Sequence, residues 1–185
     1  MKAGSQPRTP ETAPAERAVV LVVGCGRPFR QDGQAGLILA LRLHARRLRH
    51  VRVVATESPG TDLLTDLAGV ELLIIVDAAQ AEPRTTGWRR LPVVEGRVDH
   101  IDEILHELEP RLSHSTHHLG VREALHLGRD LAALPATVWV YAIPASDFGY
   151  GDHLSDMTRH AVDELTRRLP DDIAAWLAAR EARHA

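Results

Sequence analysis

Along this chain, short unbroken apolar runs alternate with stretches in which apolar residues recur every three or four positions. Ala18 to Val23 is the first run, and its lack of any polar alternation predicts a strand buried on both faces, as in a parallel sheet. Gly24 and Gly26 end it in a turn. Gly33 to Leu48 then resumes with helical spacing, setting Leu37, Ala40, Leu41 and Leu48 inward and Arg42, Arg46, Arg47 and Arg49 outward. Val51 to Ala55 predicts a second strand. Thr61 to Leu67 predicts a short helix with Leu63, Leu64 and Leu67 on one stripe behind a turn at Gly60, and Leu72 to Val76 (LLIIV) a third strand that ends at Asp77.

The pattern changes from Glu82 to Val98, where Pro83, Gly87, Pro92 and Gly96 interrupt two short apolar pieces, Gly87 to Leu91 and Val93 to Val94. Proline is excluded from central ladders and tolerated at edges, so this region predicts an additional edge strand. Ile101 to Leu112 has helical spacing and leads into Ser113 to His118 (SHSTHH). A helix from Leu119 to Leu134 follows, with Ser115 or Thr116 as its cap. Thr137 to Ile143 is the last strand. Ser155 caps a helix carrying Met157, Ala161, Leu165 and Leu169, and Pro170 opens a final helical stretch. Strands alternating with helices place the chain in the α/β class, as a three-layer α/β/α sandwich around a mostly parallel, twisted sheet.

Composition narrows this without changing it. A chain of 185 residues with 44% hydrophobic content forms one domain with a single sizeable core. Residues 1–16, with three prolines and little apolar surface, predict a mobile tail, so the domain spans 17–185. A formal charge of −3 and a pI near 6.4 predict no electrostatic attraction for nucleic acid or membrane surfaces. One cysteine forms no internal disulfide, the first 18 residues lack the apolar core of a signal peptide, and no run reaches the roughly 20 residues that span a bilayer. These features predict a soluble, cytoplasmic protein.

Candidate chemistry recurs at one structural place, the carboxyl end of a strand or the loop after it. Asp32 follows the first strand, Asp77 ends the third, and His114, His117 and His118 precede a later helix. Open α/β sheets bind ligands in the crevice outside those strand ends. Two carboxylates and one imidazole form part of a shell for a borderline divalent ion such as nickel, zinc or manganese, leaving positions for substrate or water. Both Asp residues also suit helix amino termini, whose free N–H groups donate to carboxylates. His44, His50, His126, His160 and His184 lie on helices, at their ends or in the carboxy-terminal stretch, where solvated or half-packed roles suffice.

Other sites are disfavoured residue by residue. Gly24-Cys25-Gly26 opens like a dinucleotide loop, but its third glycine would fall at Phe29. No phosphate-cradling G-x-x-x-x-G-K-[ST] and no nucleophile elbow G-x-S-x-G occurs. Cys25, at the end of an apolar strand, reads as a small core residue before it reads as a thiolate nucleophile. Asp147 to Asp152 (DFGYGD) suits either a functional loop with glycine pivots and an aromatic wall or a long surface connection.

From Ala18 to Leu169 the arrangement resembles the hydrogenase maturation proteases, the nickel-dependent endopeptidases of hydrogenase large subunits. GCGRPFRQDGQAG resembles the family's opening G-x-G-N-x-x-x-x-D-[DE]-G-x-G, ESPGTDLLTDL its glycine turn and leucine helix, LLIIVDAA its strand ending in a ligand Asp, and STHHLGVREAL its S-x-H-x-x-G-[LV] segment. DFGYGDHLSDMTRHAVDEL is similar to its terminal loop and helix. The resemblance implies a protease that recognises nickel already seated in the large-subunit precursor and then removes a short carboxy-terminal extension. It implies Asp77 and His117 as nickel-facing residues, and with Asp32, the acidic residue that remains in the opening motif, they make the catalytic and metal-facing candidates. It further implies nickel carried by the substrate, no further cofactor, and no serine or cysteine nucleophile.

The opening motif departs from that pattern in three places. The family's acidic pair falls on Asp32 and Gly33, and the usual ligand is its second member, here glycine. Gln34 stands where a glycine is usual and Arg27 where an asparagine is. Three consequences are open from the residues: the loop shifts so that Asp32 fills the vacant place, using the tolerance of Gly33 for φ > 0; Gln34 supplies a neutral carbonyl oxygen; or metal binding is lost. The last would leave a non-proteolytic accessory protein that binds a hydrogenase large subunit without cutting it.

Overall fold

The computed structural model describes residues 18–57, 59–60, 62–81, 87–95 and 118–184. The chain begins with strand β1 (Val20–Cys25), a single 3-10 turn (Gln31–Gln34) and helix α1 (Ala35–Ala45). Strand β2 (Val51–Thr56), helix α2 (Asp62–Asp66), strand β3 (Leu72–Gln80) and strand β4 (Arg89–Glu95) follow. Helix α3 (His118–Asp130), strand β5 (Thr137–Ala145) and the long helix α4 (Asp156–His184) complete it.

The five strands form one sheet in the order β2-β1-β3-β5-β4. The first four are mutually parallel, and β4 runs antiparallel against β5 at the edge. The register between β4 and β5 shifts between Pro92 and Val94, an irregularity an edge strand can hold because proline there breaks no inner ladder. Alternate residues feed two cores. Val20, Val22, Leu72, Ile74 and Val76 pack with Leu39 and Leu43 of α1 and with Ala161, Leu165 and Leu169 of α4. Leu21, Val23, Cys25, Leu73 and Ile75 pack on the opposite face with Leu63 of α2, Leu67 just after it, and Val121, Ala124 and Leu125 of α3. The architecture is therefore the three-layer α/β/α sandwich expected from the alternation of runs.

The start of α1 lies very close to the sheet. A β-carbon on Gly36 would sit 2.3 Å from the carbonyl oxygens of both Cys25 and Val76, and one on Gly24 would sit 2.2 Å from the Gly36 oxygen. Side chains at these positions would force the helix off the sheet, so both glycines serve close approach. That contact brings the β1–α1 loop down onto the carboxyl ends of β1 and β3.

Several boundaries differ from the sequence reading. β3 continues through Asp77 to Gln80, because β5 pairs with it along the whole length while β1 stops at the Gly24–Val76 pair. Asp77 thus lies within a strand, at the point where one neighbour ends. β5 likewise extends beyond Ile143, to Ala145. In α1 the buried set is Ala35, Gly36, Leu39, Ala40 and Leu43, whereas Leu41, expected inward, is 57% exposed. α4 runs unbroken through Pro170 where two helical stretches were expected. Leu165 and Leu169 before the proline and Ile173 after it are all buried in one core, and this packing outweighs the single lost backbone hydrogen bond. The predicted mobile tail, the helix over 101–112, and the cap at Ser115 or Thr116 lie outside the described residues.

Candidate functional site

The β1–α1 loop and the β5–α4 loop are fastened together by Asp32. Its side chain is fully buried, and both oxygens accept hydrogen bonds from the other loop. Oδ2 accepts from the backbone N–H of Ser146 at 2.9 Å and of Asp147 at 3.0 Å, and from the Ser155 hydroxyl at 2.9 Å. Oδ1 accepts from the Ser155 N–H at 2.7 Å. The Asp32 N–H in turn donates to the Asp147 carbonyl at 2.9 Å. Burial alone would raise the Asp32 carboxyl, but the N–H donors of Ser146, Ser155 and Asp147 and the Ser155 hydroxyl outweigh it, holding the group below the ordinary carboxylate range. Ser155 also caps α4, accepting from Thr158 N–H through its hydroxyl and from Arg159 N–H through its carbonyl.

Three of the bonds that the Asp32 side chain accepts come from the loop residues Ser146 and Asp147 and the others from Ser155, the residue before α4. Asp32 thus binds the approach to a helix amino terminus from a different element. To ligate an ion it would have to surrender donors that its negative charge already satisfies.

Asp77 occupies a different environment. It is 6% exposed and lies on the strand parity of Leu73 and Ile75, the sheet face covered by α2 and α3. One carboxylate oxygen, Oδ1, accepts from the Ala78 N–H at 2.8 Å. Extending the Gly24–Val76 register by one residue sets Asp77 beside Cys25. The Cys25 thiol is fully buried and its pKa is raised, first by burial and then by the negative charge of Asp77. A thiol held protonated in a core makes a poor nucleophile, which agrees with the core reading of Cys25.

His117, with His114, lies outside the described residues, but α3 begins at His118 and packs on the Asp77 face. Helix α3 itself therefore lies on the side of the sheet that Asp77 faces. Among the described residues, no three His, Cys, Asp or Glu side chains gather closely enough to hold an ion.

The loop departures acquire a geometry here. Gly33 is buried but does not have left-handed backbone; that conformation falls on Phe29 (φ 60°) and Gln31 (φ 44°). A shift of the loop through φ > 0 at Gly33 is not what this structure shows. A β-carbon at position 33 would meet Arg30 Cβ and Phe148 Cδ1 at 3.4 Å, ordinary contacts. The Gln34 amide nitrogen donates to the Gly151 carbonyl at 3.4 Å, so this side chain also reaches the β5–α4 loop. The contribution of Asp147 to Asp152 was only half legible: its glycines and aromatics marked it, while its partners lie more than a hundred positions upstream.

No protein-family model and no curated protein matches the chain. Solved structures do. It is 24% identical to the [NiFe] hydrogenase maturation protease HybD from Thermococcus kodakarensis, with a TM-score of 0.60 over 86% of this chain and 98% of that one. For the hydrogenase maturating endopeptidase HybD from E. coli the values are 22%, 0.64, 88% and 93%. For the [NiFe] hydrogenase maturation protease HycI from Thermococcus kodakarensis KOD1 they are 16%, 0.58, 84% and 92%. At these identities the likeness is one of fold, and it spans nearly the full length of each of those proteins. The resemblance noted in the sequence holds at that level.

Proposed function

We propose that this chain, which has the fold of the hydrogenase maturation proteases, is an endopeptidase that removes the carboxy-terminal extension of a nickel-loaded hydrogenase large-subunit precursor in the cytoplasm. The observation that carries the reading is that the fold likeness covers almost the whole of the solved maturation proteases. The order of Asp32 after β1 and Asp77 in β3 agrees with the motif that the sequence resembles. Asp77 and His117 are the residues assigned to meet the nickel of the precursor, which enters as part of the substrate. Asp32 completes the set in the sequence-derived assignment. Its hydrogen bonds favour a narrower role, in which it fixes the loop that borders the site. Nickel bound to the precursor supplies a check on substrate maturity and a Lewis acid next to the scissile carbonyl. The chain's own part is to position the extension and to exclude precursors without metal.

A second reading is favoured by one observation. Position 33, where the resemblance expects an acidic ligand, is glycine, and Asp32 is already engaged, so the anionic donors available to an ion are fewer than in the motif. A protein of this kind would hold the large subunit without cutting it. The two readings separate on one gel: purified protein incubated with nickel-loaded precursor shortens it by the extension in the first case, and Asp77→Ala abolishes the shortening. Binding without any shortening selects the accessory role. Neither binding nor shortening rejects both.

A further inference from the structure

The rim of the fastened loops presents two large rings to solvent. Phe29 is 68% exposed and Tyr150 84% exposed, and the Arg30 guanidinium lies 4.8 Å from the centre of the Tyr150 ring. A single exposed apolar side chain needs no explanation. This pair differs in how its backbone is held.

Phe29 and the nearby Gln31 both adopt left-handed backbone, at φ 60° and 44°, a conformation that a bulky residue enters only at a cost that glycine would avoid. Between them, Arg30 pairs as an isolated bridge with Gly151. The Gln31 N–H donates to the Gly151 carbonyl and the Gly151 N–H to the Phe29 carbonyl, each at 3.0 Å. The Gln31 amide adds a bond to the Tyr150 carbonyl at 3.3 Å. The rings therefore stand on a frame fixed from both loops, so little freedom remains to be lost when something docks. Phe148 of the same loop lies against Gly33, which makes the frame continuous with the motif position where a ligand is expected.

We infer that Phe29, Arg30 and Tyr150 form the docking surface for the polypeptide of the large-subunit precursor that flanks its metal site. The inference rests on the proposed function. The occupant is a protein segment because both rings stand largely exposed, as a surface contact requires, and because Phe, Tyr and Arg are the side chains that anchor protein contacts. Stacked arginine and tyrosine also suit nucleobases. Against that, the chain carries a net charge of −3, and the Asp152 side chain, 84% exposed in the same loop, repels phosphates.

The test uses the full chain, its Phe29→Gly and Tyr150→Ala variants, nickel-loaded precursor and a single-stranded oligonucleotide. Each substitution is expected to weaken precursor binding by about tenfold or more, as loss of an anchoring ring does. Phe29→Gly is also expected to leave Tm unchanged or raise it by up to about 3 °C, because it relieves the backbone and gives up little packing. A merely structural Phe29 would lower Tm instead, and that result overturns the inference. Wild-type affinity in both variants overturns the docking surface while leaving the protease reading intact. A wild-type chain that ignores the precursor overturns both, and tight binding of the oligonucleotide through Tyr150 overturns the choice of occupant.

Discussion

Asp32 is held by donors 114 to 123 positions further along the chain, and its energetic role follows from their number. Asn at position 32 keeps the shape but offers one acceptor oxygen and turns an NH2 group toward N–H donors. Hydrogen bonds to charged groups are each worth about 1.5–3 kcal/mol, so Asp32→Asn is expected to cost about 3 kcal/mol at neutral pH, read from urea unfolding. The sign of the pH dependence is set by the lowered carboxyl pKa in the folded state. The stabilisation is complete above the ordinary Asp value of about 3.9 and is lost as pH falls through the depressed folded value. Wild type should therefore lose stability steeply below about pH 4 while Asp32→Asn shows a flatter acid limb; parallel curves would remove Asp32 from this role. Gly33 supports the complementary prediction. Its backbone is not left-handed and a β-carbon there meets only ordinary contacts, so the backbone at position 33 accepts Asp or Glu without φ strain. If position 33 borders the metal-facing site, either variant should bind nickel at least about tenfold more tightly than wild type in calorimetry. An unchanged affinity would place position 33 away from the ion.

Elements were legible where local pattern decides them and illegible where a distant partner does. The unbroken valines of β1 announce a buried central strand, and its neighbours β2 and β3 on either side confirm the reason. The end of β3 could not be read, because it depends on how far β5 accompanies it, through Gln80 opposite Ala145. Pro170 looked like a boundary because local propensity opposes helix there, and the buried residues on both sides overrule it. The junction of α1 with the sheet is the element-scale contact most sensitive to change. A methyl group on Gly36 would strike backbone carbonyls of two different strands at 2.3 Å, and backbone cannot rotate away as a side chain can. Gly36→Ala should cost at least the upper end of the usual overpacking range, about 3 kcal/mol, and lower Tm by about 6–12 °C in scanning calorimetry. A variant with wild-type Tm would show that α1 can lift from the sheet without loss.

At the scale of the whole molecule, the layer plan was legible from the alternation of runs. The convergence of the two loops was not, because it arises only when β1, β3 and β5 lie parallel and present their carboxyl ends to one edge. Asp77 lies on the sheet face that the second core covers, whereas Asp32 joins the β1–α1 loop to the β5–α4 loop. Cys25 reports on how firmly these parts are joined. It is the single cysteine of the chain, fully buried beside Asp77, with its backbone pressed against Gly36 of α1. Reaching its sulfur requires α2 and α3 to leave the sheet, which opens the second core as a unit. In excess aromatic disulfide reagent the native protein should show no reactive thiol, and in denaturant one per chain. The labelling midpoint in urea should coincide with that of circular dichroism. Labelling well below that midpoint would mean that the carboxyl end of β1, and the crevice with it, opens while the rest stays folded. Under the protease reading, native protein treated with the reagent should process nickel-loaded precursor at an unchanged rate, since its thiol takes no part; inactivation would restore Cys25 to the chemistry.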